Sequence, residues 1–354
     1  MKTGDDQMSS TVYYEQDVDT SMLHARTIAV LGYGSQGQAH AQNLRDSGHT
    51  VLVAQRPGGP NHALAIENGF DPLSIEEATR RADLLIYALP DEAMGDIHTQ
   101  EIAPFLRKNQ ALGFIHGFAI RFGQVVPPDD VDVIMIAPKG PGALVRTAYQ
   151  RGGGLTCILA VHRDASGQAR SLALAWGAGI GGGKGGMIET SFAIECEADL
   201  FGEQTVLCGG VIELMKAAFE ILVEAGFPEE VAYFECIHEV KQVVDLQYTT
   251  GLAGMRRRIS NTASYGGLTR GLRLVTDETR REMHAILNEI RSGQFADEWI
   301  EVCRAGKTRT GHSRLAELES AEAKHRSEPA GKAVRALTAG AVPERRPDSW
   351  VHDT

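Results

Sequence analysis

Thr27-Ile28-Ala29-Val30-Leu31, Gly32-Tyr33-Gly34-Ser35-Gln36-Gly37 and the helix-forming stretch at 38–47 follow one another without a gap. They read as a strand, a glycine turn and a helix. Glycines at G-x-G-x-x-G spacing allow the tight turn and let a pyrophosphate approach the backbone at a helix N-terminus. Alone the pattern is a weak signal. Between a strand and a helix it points to dinucleotide binding at Gly32, Tyr33, Gly34, Ser35, Gln36 and Gly37 rather than to a merely structural turn.

Outward from this unit the alternation continues. Short apolar runs at 50–54, 83–88, 111–115 and 132–137, with 155–161 as a further candidate, are separated by helical stretches. This implies βαβ units, hence an α/β Rossmann domain with a parallel sheet over 11–190. The glycine-dense stretch 177–186 reads as a joint, because composition changes after it. From about 191 to 291 the apolar residues recur at helical spacing, as in Val211, Ile212, Leu214, Met215, Ala218, Ile221 and Leu222. An all-helical domain over 191–336 is expected, with Pro228 opening one helix and a disordered tail at 337–354.

Of 354 residues 43% are hydrophobic and 23% charged, as in ordinary globular chains, and the length allows two domains. A net charge of −11 argues against a nucleic-acid partner. No apolar run reaches membrane-spanning length and the polar start lacks a signal-peptide core, so a cytoplasmic protein without a membrane partner is expected. Cysteines 157, 196, 208, 236 and 303 are odd in number and have no CxxC spacing. They read as reduced, mostly buried thiols.

Candidate chemistry lies at strand ends and on helices. Arg56, after the second strand, stands where an NAD site usually has an acid, and it can hold a 2′-phosphate or simply be solvated. His116 and Lys139 each follow a strand, the edge that faces the ligand crevice in such sheets. A structural histidine and a surface lysine are the alternatives, but two such residues at two strand ends favour catalysis. Glu195, Asp199 and Glu203 are four residues apart, as are Glu235 and Glu239, so helices would stack each set on one face. Lys216 and Lys241 are the only Lys or Arg between Glu189 and Arg256, too few to neutralise five carboxylates. An oxygen-rich set with no cysteine cluster favours Mg²⁺ or Mn²⁺ over zinc, and a two-metal enzyme over a salt-bridged helix face. Ser260 reads as a helix N-cap or a substrate-contacting hydroxyl, the cap being slightly favoured.

Together the glycine turn, His116-Gly117-Phe118, Ala137-Pro138-Lys139, Glu189-Thr190, Asp199-Leu200-Phe201-Gly202-Glu203-Gln204, Phe234-Glu235-Cys236-Ile237-His238-Glu239 and Ile259-Ser260-Asn261 resemble the ketol-acid reductoisomerase family in its short bacterial form. The likeness runs from about Tyr13 to Trp299. It implies a knotted all-α C-terminal domain that dimerises, a topology otherwise nearly absent from proteins. It also implies conversion of an acetohydroxy acid such as 2-acetolactate by alkyl shift and NADP(H) reduction, with NAD(H) as the alternative, in valine, leucine and isoleucine biosynthesis. By the resemblance, Asp199 bridges two Mg²⁺ ions, Glu203 holds the first, and the partner subunit's Glu235 and Glu239 complete the second. Lys139 and Glu195 form a proton-handling pair, and His116 lies near the nicotinamide. Ser260 contacts substrate across a homodimer, or higher homo-oligomer, with shared active sites. Asp91, Glu92, Ala93, Met94 and Gly142 fall where the family touches its dinucleotide.

The chain departs from the family pattern in the loop after Arg56. Gly59 and Asn61 stand where NADP-using members place hydroxyls, and two lost hydrogen bonds to a phosphate are worth roughly 1.5–3 kcal/mol each. Ser264 and Glu92-Ala93-Met94 also differ. A specialised paralogue, a metal-independent 2-hydroxy or β-hydroxy acid dehydrogenase, and a nucleotide-sensing dimer are the alternatives. The dehydrogenase leaves Glu235 and Glu239 unexplained.

Overall fold

The computed structural model describes residues 11–306 and 314–338. The described residues up to Cys196 form one compact unit and those from Glu197 another. Of the expected tail, Leu337 and Thr338 close a helix, Ser327–Thr338, and the rest lies outside the described residues.

The first unit is built on an eight-stranded sheet. Its strands are β1 (Val12–Tyr13), β2 (Thr27–Leu31), β3 (Thr50–Ala54), β4 (Leu84–Tyr87), β5 (Ala111–Phe114), β6 (Asp132–Pro138), β7 (Cys157–Arg163) and β8 (Met187–Thr190). Their spatial order is β1-β8-β7-β6-β5-β4-β2-β3. A single parallel bridge, Ala54 to Leu73, extends the β3 edge. Counting Leu73 as a vestigial strand, the order outward from β2 is that of a Rossmann sheet, with the ligand crevice where the order reverses between β2 and β4. The strands β4 and β5 are buried along their whole length, and the apolar layers on the two faces form two separate cores.

The sheet is not wholly parallel, as the sequence suggested. β7 runs antiparallel to β6 and β1 antiparallel to β8. The helix Gly142–Gln150 and a glycine-rich turn return the chain to the same end of the sheet that it left, so β7 enters in the opposite sense. The glycine-dense stretch is not an interdomain joint either. It finishes the helix Ala169–Gly179 and forms the short helix Gly182–Gly185, before β8. Close packing is the reason for glycine there: a Cβ on Gly177 would lie 2.3 Å from the Met187 sulfur. Of the five thiols, only Cys157 and Cys196 are buried, so most are not.

The second unit is helical. Phe219, Ala232, Tyr233, Ala330 and Val334 form a small core between the helices Gly210–Glu224, Glu229–Tyr233 and Ser327–Thr338. Pro228 caps its helix as expected. Among the segments of this unit that leave α-helical pitch, Glu203–Leu207 and Phe234–His238 are π-turns, in which each amide reaches back five residues instead of four. The stacking expected of the acids changes at one pair. Glu195 and Asp199 share a face of the helix Phe192–Gly202, which runs up to Glu203, whereas Glu235 lies inside the second π-turn and Glu239 follows it. Four-residue spacing no longer means vertical alignment in a π-turn.

Candidate active site

The glycine turn leaves β2 at the carboxyl edge of the sheet. Gly32 has φ +96°, and a Cβ there would lie 2.3 Å from the Ala88 carbonyl oxygen after β4. A Cβ on Gly37 would lie 2.2 Å from the Gly32 oxygen, which presses the helix Ser35–Asp46 onto the turn. Around Gly34, in contrast, nothing lies within 4 Å. Two glycines are therefore demanded by the protein itself and the third leaves open room at the helix N-terminus. Such a cradle can seat a pyrophosphate. Gly142 closes it from the β6 side, where a Cβ would meet the Ser35 oxygen at 2.1 Å, and Gln36 Nε2 donates to the Gly140 oxygen at 2.9 Å.

Other residues expected at the dinucleotide serve from below. The Tyr33 side chain is fully buried against Phe70, so only its backbone lines the turn, and Met94 is buried in the sheet core. Burial raises the Tyr33 phenol above its ordinary value. Asp91, Glu92 and Ala93 are half-buried in the first turn of the helix Asp91–Ile97 after β4. Sequence reasoning missed Gln55. Its Oε1 accepts from the Tyr33 amide at 2.9 Å, so the neutral group at the end of β3 is spent on the turn. Arg56 follows it, exposed, in a cavity of about 300 Å³ shared with Pro57, His62, Leu73, Ser74 and Glu101. Gly59 caps the helix Pro60–Glu67 without a side chain, and Asn61 is half-buried in its first turn.

His116 and Lys139 do converge, and on Glu195. The Lys139 Nζ donates to Glu195 Oε1 at 2.6 Å and the Gly117 amide donates to Oε2 at 2.9 Å. His116 Nδ1 straddles the carboxylate, 3.1 Å from Oε2 and hydrogen-bonded to Oε1 at 3.4 Å. The Glu195 side chain is 1% exposed. Burial alone would raise its pKa, but the hydrogen bond and charge of His116 and the Lys139 ammonium hold it below the ordinary carboxylate range. Burial likewise works against a charged His116. Hydrogen bonds to Cys196 and Glu195, with the charges of Glu195 and Asp91, outweigh it and raise the imidazole well above its usual value. The cluster is a buried carboxylate with cationic neighbours at the carboxyl ends of β5 and β6, the edge that also carries the cradle.

The acids of the second unit are placed differently. Asp199, half-buried, is one turn beyond Glu195 on the same helix, while Glu203, Glu235 and Glu239 are exposed. Among the described residues these four do not bring three ligand atoms together within one chain. Lys216 pairs with Glu213 and Glu322, and Lys241 with Asp245. Glu197 does meet a cation, Arg291, at 3.1 Å, a partner 94 residues away that counting nearby bases missed. Ser260 is an N-cap, its oxygen accepting from the Ala263 amide at 3.1 Å.

Two family models cover nearly all of this architecture. Residues 22–186 match the acetohydroxy acid isomeroreductase NADPH-binding domain, and residues 192–339 match the ketol-acid reductoisomerase C-terminal domain. The chain belongs to the ketol-acid reductoisomerase family. It is similar to the solved structure of an NADH-preferring ketol-acid reductoisomerase from an uncultured archean, with 42% identity and a TM-score of 0.88 over 92% of this chain and 99% of that one. A semialdehyde dehydrogenase NAD-binding protein from Cupriavidus necator shares 21% identity over 75% of this chain and 99% of that one, at a TM-score of 0.57. That likeness shows the fold alone. As a ketol-acid reductoisomerase the chain is an oxidoreductase that uses a nicotinamide cofactor, and no helix among its described residues is long and apolar enough to cross a membrane.

Proposed function

We propose that the chain converts 2-acetolactate, or 2-aceto-2-hydroxybutyrate, into the corresponding 2,3-dihydroxy-3-alkyl acid by alkyl migration and reduction, a step of branched-chain amino-acid biosynthesis. The observation that carries this reading is the buried Glu195 held by Lys139, His116 and the Gly117 amide on the sheet edge that also bears the glycine cradle. A plain hydride transfer has no need of a helix that carries Asp199 one turn beyond such a carboxylate. When bound, the nicotinamide supplies the reducing equivalent and Mg²⁺ supplies Lewis acidity at the substrate oxygens. Asp199 and Glu203 would hold the ions with the partner subunit's Glu235 and Glu239, an all-carboxylate donor set suited to a hard cation.

The chain's own groups handle protons and position. Lys139 Nζ and Glu195 Oε1, joined at 2.6 Å, take up the proton that leaves the substrate hydroxyl and return one to the oxygen that gains charge. His116, charged and facing the same carboxylate, orients the nicotinamide end. Across the proposed dimer, the Ser260 hydroxyl, at a helix N-terminus, receives the carboxylate of the substrate held in the partner subunit's site.

Both dinucleotides are proposed to serve. Arg56 remains to meet a 2′-phosphate, yet Gly59 offers no hydroxyl and Pro60 no N–H, and the relative at 42% identity is described as NADH-preferring. A homodimer is proposed because the helical unit leaves the large apolar residues Leu207, Tyr248, Leu252, Leu268 and Leu272 exposed, side chains that a second copy would cover. The test is turnover of 2-acetolactate with NADPH and with NADH, each with and without Mg²⁺. Turnover with both dinucleotides, only in the presence of the cation, is expected. Full activity in metal-stripped protein would refute the mechanism.

A further inference from the structure

Gly117 lies at the centre of the Glu195 cluster, yet its backbone is ordinary. With φ −79° and ψ −8° it is in the right-handed helical region, open to any residue, so conformational freedom is not why glycine stands here. Proximity is. A Cβ at this position would lie 2.5 Å from the Phe192 carbonyl oxygen, 2.9 Å from the Cys196 Cβ and 3.1 Å from Glu195 Oε2. The first of these contacts is main chain in the opening turn of the Phe192–Gly202 helix, which cannot swing aside as a side-chain tip can. The missing side chain therefore lets that helix approach the end of β5 until the Gly117 amide reaches Glu195 Oε2 at 2.9 Å.

The three donors on Glu195 differ in kind. Lys139 and His116 are titratable and partly exposed, at 34% and 18% of their side chains. Each changes its hydrogen bonding as a proton passes. A backbone amide neither titrates nor rotates away. Held by it, Oε2 keeps its place while Oε1 exchanges hydrogen bonds with Lys139 and His116.

We propose that Gly117 is a positioning residue for the reaction. Its amide locks Oε2 of Glu195 and leaves Oε1 to Lys139 and His116, and its lack of a side chain sets the distance at which this lock forms. The role rests on the function proposed above for Glu195. The lock itself is a property of the folded chain and is measurable without turnover.

The experiment combines kinetics with spectroscopy. In Gly117→Ala the helix is pushed back by a few tenths of an ångström or more, and kcat is expected to fall by up to about 10²-fold. KM for 2-acetolactate and the dinucleotide affinity should change little, since the cradle is built by other residues. In a Glu195→Gln background the same substitution should cost almost nothing further, because the partner of the lock is already altered. Equal losses in both backgrounds, or an unchanged kcat, overturn the proposal. The second measurement leaves Gly117 intact. In wild-type protein its amide proton should resonate downfield, as a donor to a carboxylate, and move upfield in Glu195→Gln. An amide in the ordinary range that ignores that substitution overturns the lock even if Gly117→Ala does not fold. If wild-type protein does not turn over acetolactate but the downfield amide is present, the function falls and the lock stands.

Discussion

Glu195 shows how a single buried charge is kept. Removing a carboxylate from water costs several kcal/mol, and here two cationic side chains and one amide offset it. The balance is sensitive to loss of one partner. Lys139→Met should destabilise the protein by about 3 kcal/mol at neutral pH. The sign with pH follows from the direction of the shift. A carboxylate whose folded pKa is depressed adds stability above its unfolded value and loses it as pH falls through the folded one. The difference between wild type and Lys139→Met should therefore shrink on acidification below the ordinary 4.5. Urea melts at pH 7 and at acid pH measure it, and a difference that does not change with pH refutes the assignment. His116 works in the opposite sense: its raised pKa gives stability below 6.5 that is lost only as pH climbs through the folded value.

At the scale of elements, the strand–glycine–helix unit separates folding from binding. Gly32→Ala puts a Cβ 2.3 Å from a carbonyl oxygen at a positive φ, so melting temperature and dinucleotide affinity should both fall, with about 1–3 kcal/mol lost from stability. Gly34→Ala meets no protein atom within 4 Å, so the melting temperature should hold while dinucleotide affinity drops. Thermal melts beside NADPH fluorescence titrations distinguish the two. Loss of stability in the second variant would contradict the geometry. This unit was legible in the sequence because its signals are local: an apolar run, glycine spacing and a helix start lie within twenty residues. The strand ends bearing His116 and Lys139 were legible for the same reason. The pairing of β1 with β8 and the Arg291–Glu197 bridge were not, since each depends on residues far apart in the chain, and neither was the sense of β7, since a helix between two strands reads the same whichever end of the sheet the chain returns to. The π-turns escaped for a different reason. One extra residue in a helical turn leaves no mark on apolar periodicity. Only Gly209 and Gly210 hint at the first, where Cβ atoms would lie 2.0 Å from the Gln204 and Thr205 oxygens. Gly209→Ala should melt the Glu203–Leu207 turn and weaken Mg²⁺ uptake by calorimetry, and unchanged uptake would detach that turn from the metal site.

For the molecule as a whole, the dimer proposal has a sharp genetic form. If the partner subunit's Glu235 and Glu239 complete each site, Asp199→Asn and Glu235→Gln homodimers should both be inactive. Mixed after co-expression, they should regain up to roughly a quarter of wild-type activity, because one site of the heterodimer is whole and only half the dimers are mixed. No recovery in a verified heterodimer would place each site within one chain. A quieter consequence follows from β1. Among the described residues this two-residue strand is what pairs with the outer side of β8, fastened by the Tyr13 hydroxyl donating to Glu189 Oε2 at 2.8 Å. Shaving the chain back past Tyr13 would bare a ladder of unmet amides and carbonyls, an invitation to stick to the same rim of a neighbouring molecule. Light scattering of trimmed protein, left to stand and compared with Tyr13→Phe, would show whether that narrow ribbon is what keeps the preparation clear.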